Sequence, residues 1–266
     1  MKIFIMNSSF RKDGNTNRIL ECFMEEFQSC SRQHGTDVEF ETVFLAHENI
    51  QMCRGCRLCF DRGEDRCPLK DEVLPIRDKL CKADAAVLAG PVYVEDVNGF
   101  MKNWIDRMAF NSHRPSLYGK PAAVLTTSAS YSSNHSLKTV IRAINSWGGV
   151  VVARGKFRMG ALMAKDEVKA RHGAGIKMLA EKLYASSGGS KAGVPSVYSL
   201  VAFKIQQKYW RNKKETQSHD YSYWKGKGWL ESGCNYYTVH KAGWFKTGMA
   251  GVLGSLASIF LEDSKK

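Results

Sequence analysis

Residues 85–90, Ala-Ala-Val-Leu-Ala-Gly, form an unbroken apolar run closed by Pro91. A strand apolar on both faces needs cover on both, which is how a central strand reads in a parallel sheet layered between helices. The flanking chain supplies that cover. Lys2 to Met6 is a short apolar strand, and in 17–28 the residues Ile19, Leu20, Phe23, Met24 and Phe27 recur at helical spacing. Val38 to Phe44 alternates as a strand, with Phe40 and Val43 as core candidates. Asp71 to Cys81 predicts a helix with Val73, Leu74, Ile76 and Leu80 inward and Pro75 in its first turn. Helices are further expected over Phe100–Met108, His135–Trp147 and Asp166–Ala185, and strands over Lys120–Thr127 and Val150–Arg154. The alternation predicts an α/β fold, a doubly wound five-stranded parallel sheet spanning residues 1–187.

The remaining residues, 188–266, predict a C-terminal basic aromatic extension, mostly helical and irregular, after a flexible Ser186-Ser187-Gly188-Gly189-Ser190 junction. Residues 191–266 hold 12 Lys+Arg against 5 Asp+Glu, so they carry +7 of the chain's +13. Lysines scattered in this way read first as a solvated face, and no nucleic-acid partner is expected. Val197 to Trp210 is amphipathic, and four of the six tryptophans lie beyond residue 209, enough apolar bulk to pack on something. Ala242 to Leu261 is apolar but carries Lys246 and four glycines, which predicts a packed or interfacial helix and leaves peripheral membrane contact through the tail open. The opening apolar run stops at Asn7-Ser8-Ser9, so it reads as a buried strand and not as a secretion signal.

Eight cysteines include four bunched as Cys53-x-x-Cys56-x-x-Cys59 and Cys67. Such bunching suits a metal or cluster site in a reducing cytoplasm, where disulfides do not persist. The overlapping triplets suit the cubane of a 4Fe-4S cluster better than tetrahedral zinc, which favours two separate pairs; a redox disulfide relay and unligated thiols are the other readings. Cys22, Cys30 and Cys81 fall on helices and read as small buried hydrophobes. Ahead of the first helix, residues 7–16 form a polar loop that carries Arg11 and empties into a helix N-terminus, where N–H groups attract anions; a plain helix cap is the alternative. It is neither a Walker loop nor a dinucleotide fingerprint.

The three loops, taken together, resemble the NADPH-dependent FMN reductase and iron-sulfur flavoprotein group of the flavodoxin-like fold. The group's first loop reads approximately Gly-Ser-Pro-Arg-x-x-Gly-Asn-Thr; here it is Ser8-Ser9-Phe10-Arg11-Lys12-Asp13-Gly14-Asn15-Thr16, with Ser8 and Phe10 as departures. The resemblance implies that Ser9, Arg11, Asn15 and Thr16 hold the FMN phosphate. It implies that Pro91, Val92 and Tyr93, with Val94, Val97 and Asn98 nearby, flank the ring and ribityl chain. Lys102 and Asp106-Arg107 match the helix that follows. Thr127, Ser128 and Ser130 form the third loop, which lacks the group's usual glycines. The group's compact cysteine motif is similar to Cys53, Cys56, Cys59 and Cys67, and implies that these four are the metal ligands.

These readings lead to an expected activity: an FMN-dependent oxidoreductase of the iron-sulfur flavoprotein type, with a 4Fe-4S cluster and no catalytic side chain. It would transfer electrons between NAD(P)H or a ferredoxin-like donor and a small-molecule electron acceptor. One alternative is an NAD(P)H-dependent FMN or quinone reductase whose cysteine loop holds zinc or stays unligated. Another is a non-enzymatic flavodoxin-like carrier or binding module. The resemblance also implies a homodimer or higher homo-oligomer.

Overall fold

The computed structural model describes residues 1–130, 134–188, 194–212, 218–240 and 242–263, with side chains described through residue 254. Five strands are parallel: β1 (Lys2–Asn7), β2 (Glu39–Phe44), β3 (Ala85–Tyr93), β5 (Pro121–Ser128) and β6 (Val150–Arg158). They lie in the order β2-β1-β3-β5-β6, and a two-residue strand, β4 (Asp96–Val97), pairs antiparallel with β3. The order reverses between β1 and β3, which places a topological switch point at their carboxyl ends. The expected five-stranded parallel sheet is present, with β4 as an addition.

Two layers of helix cover it. Alternation along β1 sends Phe4 and Met6 to one face, where they join Ile76, Trp104 and Trp147 from α3 (Val73–Lys82), α4 (Gly99–Arg107) and the turn after α5 (Asn134–Ser146). Ile3 and Ile5 point the other way, into Phe23 and Phe27 of α1 (Asn15–Gln33) and Leu179 and Leu183 of α6 (Lys165–Ser187). Trp104 and Trp147 meet edge to face at 5.2 Å and are fully buried.

Three elements differ from expectation by more than a residue or two at an end. β3 runs on from Gly90 through Tyr93, because a tight turn at Val94-Glu95 returns the chain into β4. α1 starts at Asn15 and continues to Gln33, where Gly35 at φ +65° follows its end. β6 extends to Arg158 as the sheet edge, exposing Arg154, Lys156 and Arg158 and burying Ala153 and Phe157. A register shift at Ala122/Ala123 accompanies it.

Beyond the sheet, α7 (Val197–Asn212), α8 (His219–Gly226) and α9 (Trp244–Asp263) surround a third apolar cluster. Leu200, Phe203, Trp210, Trp224, Trp229, Tyr236 and Tyr237 form it. Gly254 of α9 sits so close to α7 that a Cβ there would meet Lys204 Cβ at 2.7 Å. The opposite face of α9 exposes Trp244, Phe245 and Val252. Among the described residues no helix is long and apolar enough to cross a membrane. Gly189, Ser190 and residues 131–133 of the expected junction and third loop lie outside the described residues.

Candidate functional site: three strand tips and a cysteine loop

The tips of β1, β3 and β5 lie side by side, so the loops that follow them share one end of the sheet. In the first loop Ser8 N–H donates to Ala89 O at 2.9 Å, and Asn7 Oδ1 accepts from Ser9 N at 2.9 Å. Ser9 Oγ donates to Arg11 O at 3.3 Å, while Arg11 itself is exposed. Gly14 precedes α1 with no capping side chain, so this 19-residue helix presents its first N–H groups uncapped towards the loop.

Asn15 and Thr16 are placed differently from simple phosphate ligands. Both are buried. Asn15 Oδ1 accepts from Met163 N at 2.9 Å, and its Nδ2 donates to Gly160 O, so it ties the loop after β6 to α1. Thr16 Oγ1 bonds Thr127 Oγ1 at 2.7 Å, joining the first loop to the third. Their side chains brace the loop walls; Ser9 is buried with them, and Arg11 stands exposed at the loop surface.

On the second loop Pro91 and Val92 are half-buried, whereas Tyr93 is 57% and Val94 99% exposed. Val94 (φ +47°) and Glu95 (φ +67°) form the turn without glycine, and a β-branched residue there is strained. Asn98 is buried and does two things: its Oδ1 caps α4 by accepting from Met101 N at 3.1 Å, and its Nδ2 donates to Ser8 O at 2.6 Å. The first and second loops are thereby stitched together. On the third loop Thr127 is buried, Ser128 half-buried and Ser130 exposed.

Three buried polar atoms at these tips have no partner among the described residues: Asn7 Nδ2, Ser8 Oγ and Ser128 Oγ. An unpaired buried donor costs about 1–3 kcal/mol, so orphans grouped at strand tips point to a polar ligand. Ser8 Oγ also occupies the space left by Gly90, where a Cβ would stand 2.2 Å from it. A uncapped helix start and unpaired side chains at a switch point fit the phosphate and polar chain of FMN.

The cysteine loop flanks a cavity of about 570 Å³, lined by Cys53, Cys56, Cys59 and Cys67 together with Arg57 and Arg107. Gly55 (φ +64°) and Arg57 (φ +64°) bend the chain before the single turn α2 (Leu58–Asp61). Cys53 and Cys56 are exposed, Cys59 and Cys67 half-buried, and all eight cysteines are free. Burial, then the neighbouring Cys67 and Cys53, push the Cys59 thiol up. Among the described residues no three His, Cys, Asp or Glu are gathered as a metal-holding group. Donor chemistry and space therefore fit a thiolate-held centre, whereas the four sulfurs stand around the cavity without converging. Cys22 is buried as expected; Cys30 and Cys81 are only half-buried.

Helix α4 connects the two regions. Cys53 N donates to Asn103 Oδ1 at 3.2 Å, and Asn103 Nδ2 donates to Ile50 O and Gln51 O. Arg107 reaches Asp71 by two bonds, 2.5 and 2.9 Å, donates to Gln51 O at 2.7 Å and approaches Cys67 Sγ at 3.9 Å. Burial alone raises the Asp71 carboxyl, but Arg107 and the N–H groups of Gln51 and Val73 outweigh it and hold the carboxyl below its usual range. Sequence reasoning did not single out Asn103 or Asp71. Their signal was Asn103 and Arg107 at i, i+4, on one face of a helix after the second loop.

Residues 1–162 match the NADPH-dependent FMN reductase family. The chain belongs to this family. It is 27% identical over 231 residues to an iron-sulfur flavoprotein of Archaeoglobus fulgidus, covering 86% of this chain and 100% of the relative. An iron-sulfur flavoprotein of Methanosarcina thermophila is 28% identical over 55% of this chain and 72% of the relative. Among solved structures, an FMN-dependent NADH-azoreductase of Bacillus anthracis in complex with FMN has a TM-score of 0.52 at 14% identity, over 69% of this chain and 100% of that one. An oxidoreductase of Corynebacterium diphtheriae has a TM-score of 0.52 at 17% identity, over 69% and 94%. These neighbours share the fold of this FMN reductase family member.

Proposed function

We propose that this protein is an FMN-dependent oxidoreductase of the iron-sulfur flavoprotein type, with NAD(P)H or a ferredoxin-like protein as donor and a small molecule as acceptor. One observation carries the reading: α4 ties the first and second loops together at its N-cap, Asn98, and holds the cysteine loop from Asn103 and Arg107. A single rigid element thus serves both regions. Bound FMN supplies hydride acceptance and one-electron release, and a 4Fe-4S cluster held by Cys53, Cys56, Cys59 and Cys67 supplies one-electron exchange.

The side chains do the placing. Ser9, Arg11 and the α1 N-terminus take the phosphate, the unpaired Ser8 and Ser128 hydroxyls at the strand tips are available to the polar part of the ligand, and exposed Tyr93 is available to cover the ring. Such a centre would be held by these four thiolates, which share one cavity wall. Four closely spaced free thiols suit a reducing compartment.

Protein prepared without oxygen should carry about one flavin and, on the Cys₄ chemistry, roughly four irons per chain. A colourless preparation without iron refutes the reading. A second reading keeps the flavin and leaves the thiols unligated or zinc-bound; among the described residues no three His, Cys, Asp or Glu are gathered, and the exposed Cys53 and Cys56 are consistent with free thiols. Flavin with zinc or no metal selects it.

A further inference from the structure

The segment after α4 is where the C-terminal extension meets the cysteine loop, and one arginine stands at the junction. Arg114 is 4% exposed. On the loop side its guanidinium donates to Cys59 O, to Phe60 O at 3.4 Å and to Glu64 Oε2 at 3.0 Å. On the extension side it pairs with Asp220 of α8. Asp220, itself 6% exposed, also bonds His113 Nδ1 at 2.8 Å, and the His113 ring packs edge-on against Phe60 at 4.8 Å.

The extension grips the same segment in three more places. Trp224 Nε1 donates to His113 O at 2.7 Å, Tyr223 OH to Pro115 O at 2.5 Å, and Gln206 Nε2 to Ser112 O at 2.9 Å. Gly63 completes the fit, because a Cβ there would stand 3.3 Å from His219 Cε1. A guanidinium has no acceptor capacity and five donors in a fixed fork, so anchoring one side of it orients the other. Asp220 fixes the fork, and the fork fixes the Cys59 and Phe60 carbonyls within the α2 turn.

We infer that the extension is a clasp on the cysteine loop, in which Asp220 acts through Arg114 as a positioning residue that presents Cys59 to the cavity for ligation. This rests on the cluster reading above for its purpose, but the clasp itself is a property of the metal-free chain. Cys53 is held from α4 instead, through its N–H to Asn103, and Cys56 is exposed, so the two serve as internal controls.

The test uses the full chain with Asp220→Ala, Asp220→Asn and Asp220→Glu. In metal-free protein, iodoacetamide labelling of Cys59, resolved by mass spectrometry, should quicken on the order of 10-fold in Asp220→Ala, the effect of losing a charged hydrogen bond that holds a local turn. Labelling of Cys53 and Cys56 and the flavin content should stay at wild-type values, and Asp220→Glu should restore Cys59 protection. On anaerobic loading, iron per chain should fall in Asp220→Ala and recover in Asp220→Glu. Unchanged Cys59 labelling overturns the clasp, and so does equal loss of protection at all cysteines together with flavin. If Asp220→Ala does not fold, Asp220→Asn, which keeps the shape and removes the charge, is read by the same criteria. Wild-type protein that takes up no iron overturns the cluster reading alone, and the labelling pattern still decides the clasp.

Discussion

Replacing Asp71 by alanine tests whether the Asp71–Arg107 pair braces the loop. Both side chains are nearly sealed from water, 1% and 4% exposed, with contacts of 2.5 and 2.9 Å. Breaking one partner of such a pair strands a buried charge and costs about 3–5 kcal/mol. The N–H groups of Gln51 and Val73 lose their acceptor as well. For a chain of this size about 4 kcal/mol corresponds to a fall of roughly 8–16 °C in Tm. Urea unfolding followed by tryptophan fluorescence measures the loss. Asp71→Ala combined with Arg107→Met removes both charges, so the double variant should recover at least about 2 kcal/mol over the sum of the single losses. The sign with pH follows from the depressed carboxyl. Its contribution is complete above the ordinary value of 3.8 and is lost as pH falls through the lower folded value, a dependence that Asp71→Ala abolishes. A loss under about 1 kcal/mol, or strict additivity, refutes the buried-pair argument.

Three further outcomes follow from named contacts. Asn98→Ala removes the α4 cap and the bond to Ser8 O, so it should cost about 1 kcal/mol and weaken FMN binding in a flavin-fluorescence titration, whereas Asn98→Asp keeps the cap and loses only the second bond. Val94→Gly releases a strained turn that is 99% exposed and should raise stability by roughly 0.5–1 kcal/mol in the same urea assay. Burial raises Tyr237 well above its ordinary value of 10.0 and Tyr236 to about 12. The stability they lend is therefore whole below pH 10.0 and lost as pH rises through the folded values. Tyrosinate absorbance and tryptophan fluorescence should change together there, and tyrosines titrating at 10.0 with unchanged fluorescence would count against the packed cluster.

The sheet was legible because its strands are buried on two faces and leave continuous apolar runs. The end of β3 was not, since Pro91 reads as a stop and the turn at Val94-Glu95 carries none of the residues that mark a tight turn. Ala153 and Phe157 did signal the longer β6, but charged residues between them hid an edge strand. At the site, spacing revealed the cysteines and a family likeness revealed the loops. Asn15 and Thr16 carry the right chemistry for an anion, yet are engaged by Met163 and Thr127, which lie far along the chain. The braces were invisible for the same reason. Arg107 is 36 residues from Asp71 and Arg114 is 106 from Asp220, separations over which no local pattern can announce a partner.

Helix α4 also acts as a ruler. Asn98 and Arg107 grip the first loop and the cysteine loop from opposite ends, and at about 1.5 Å of rise per residue they stand roughly 13 Å apart along its axis. Inserting or removing one residue there would both change that spacing and swing one grip about 100° around the axis, so the placement of the first loop relative to the cysteine loop depends on an unaltered length of helix.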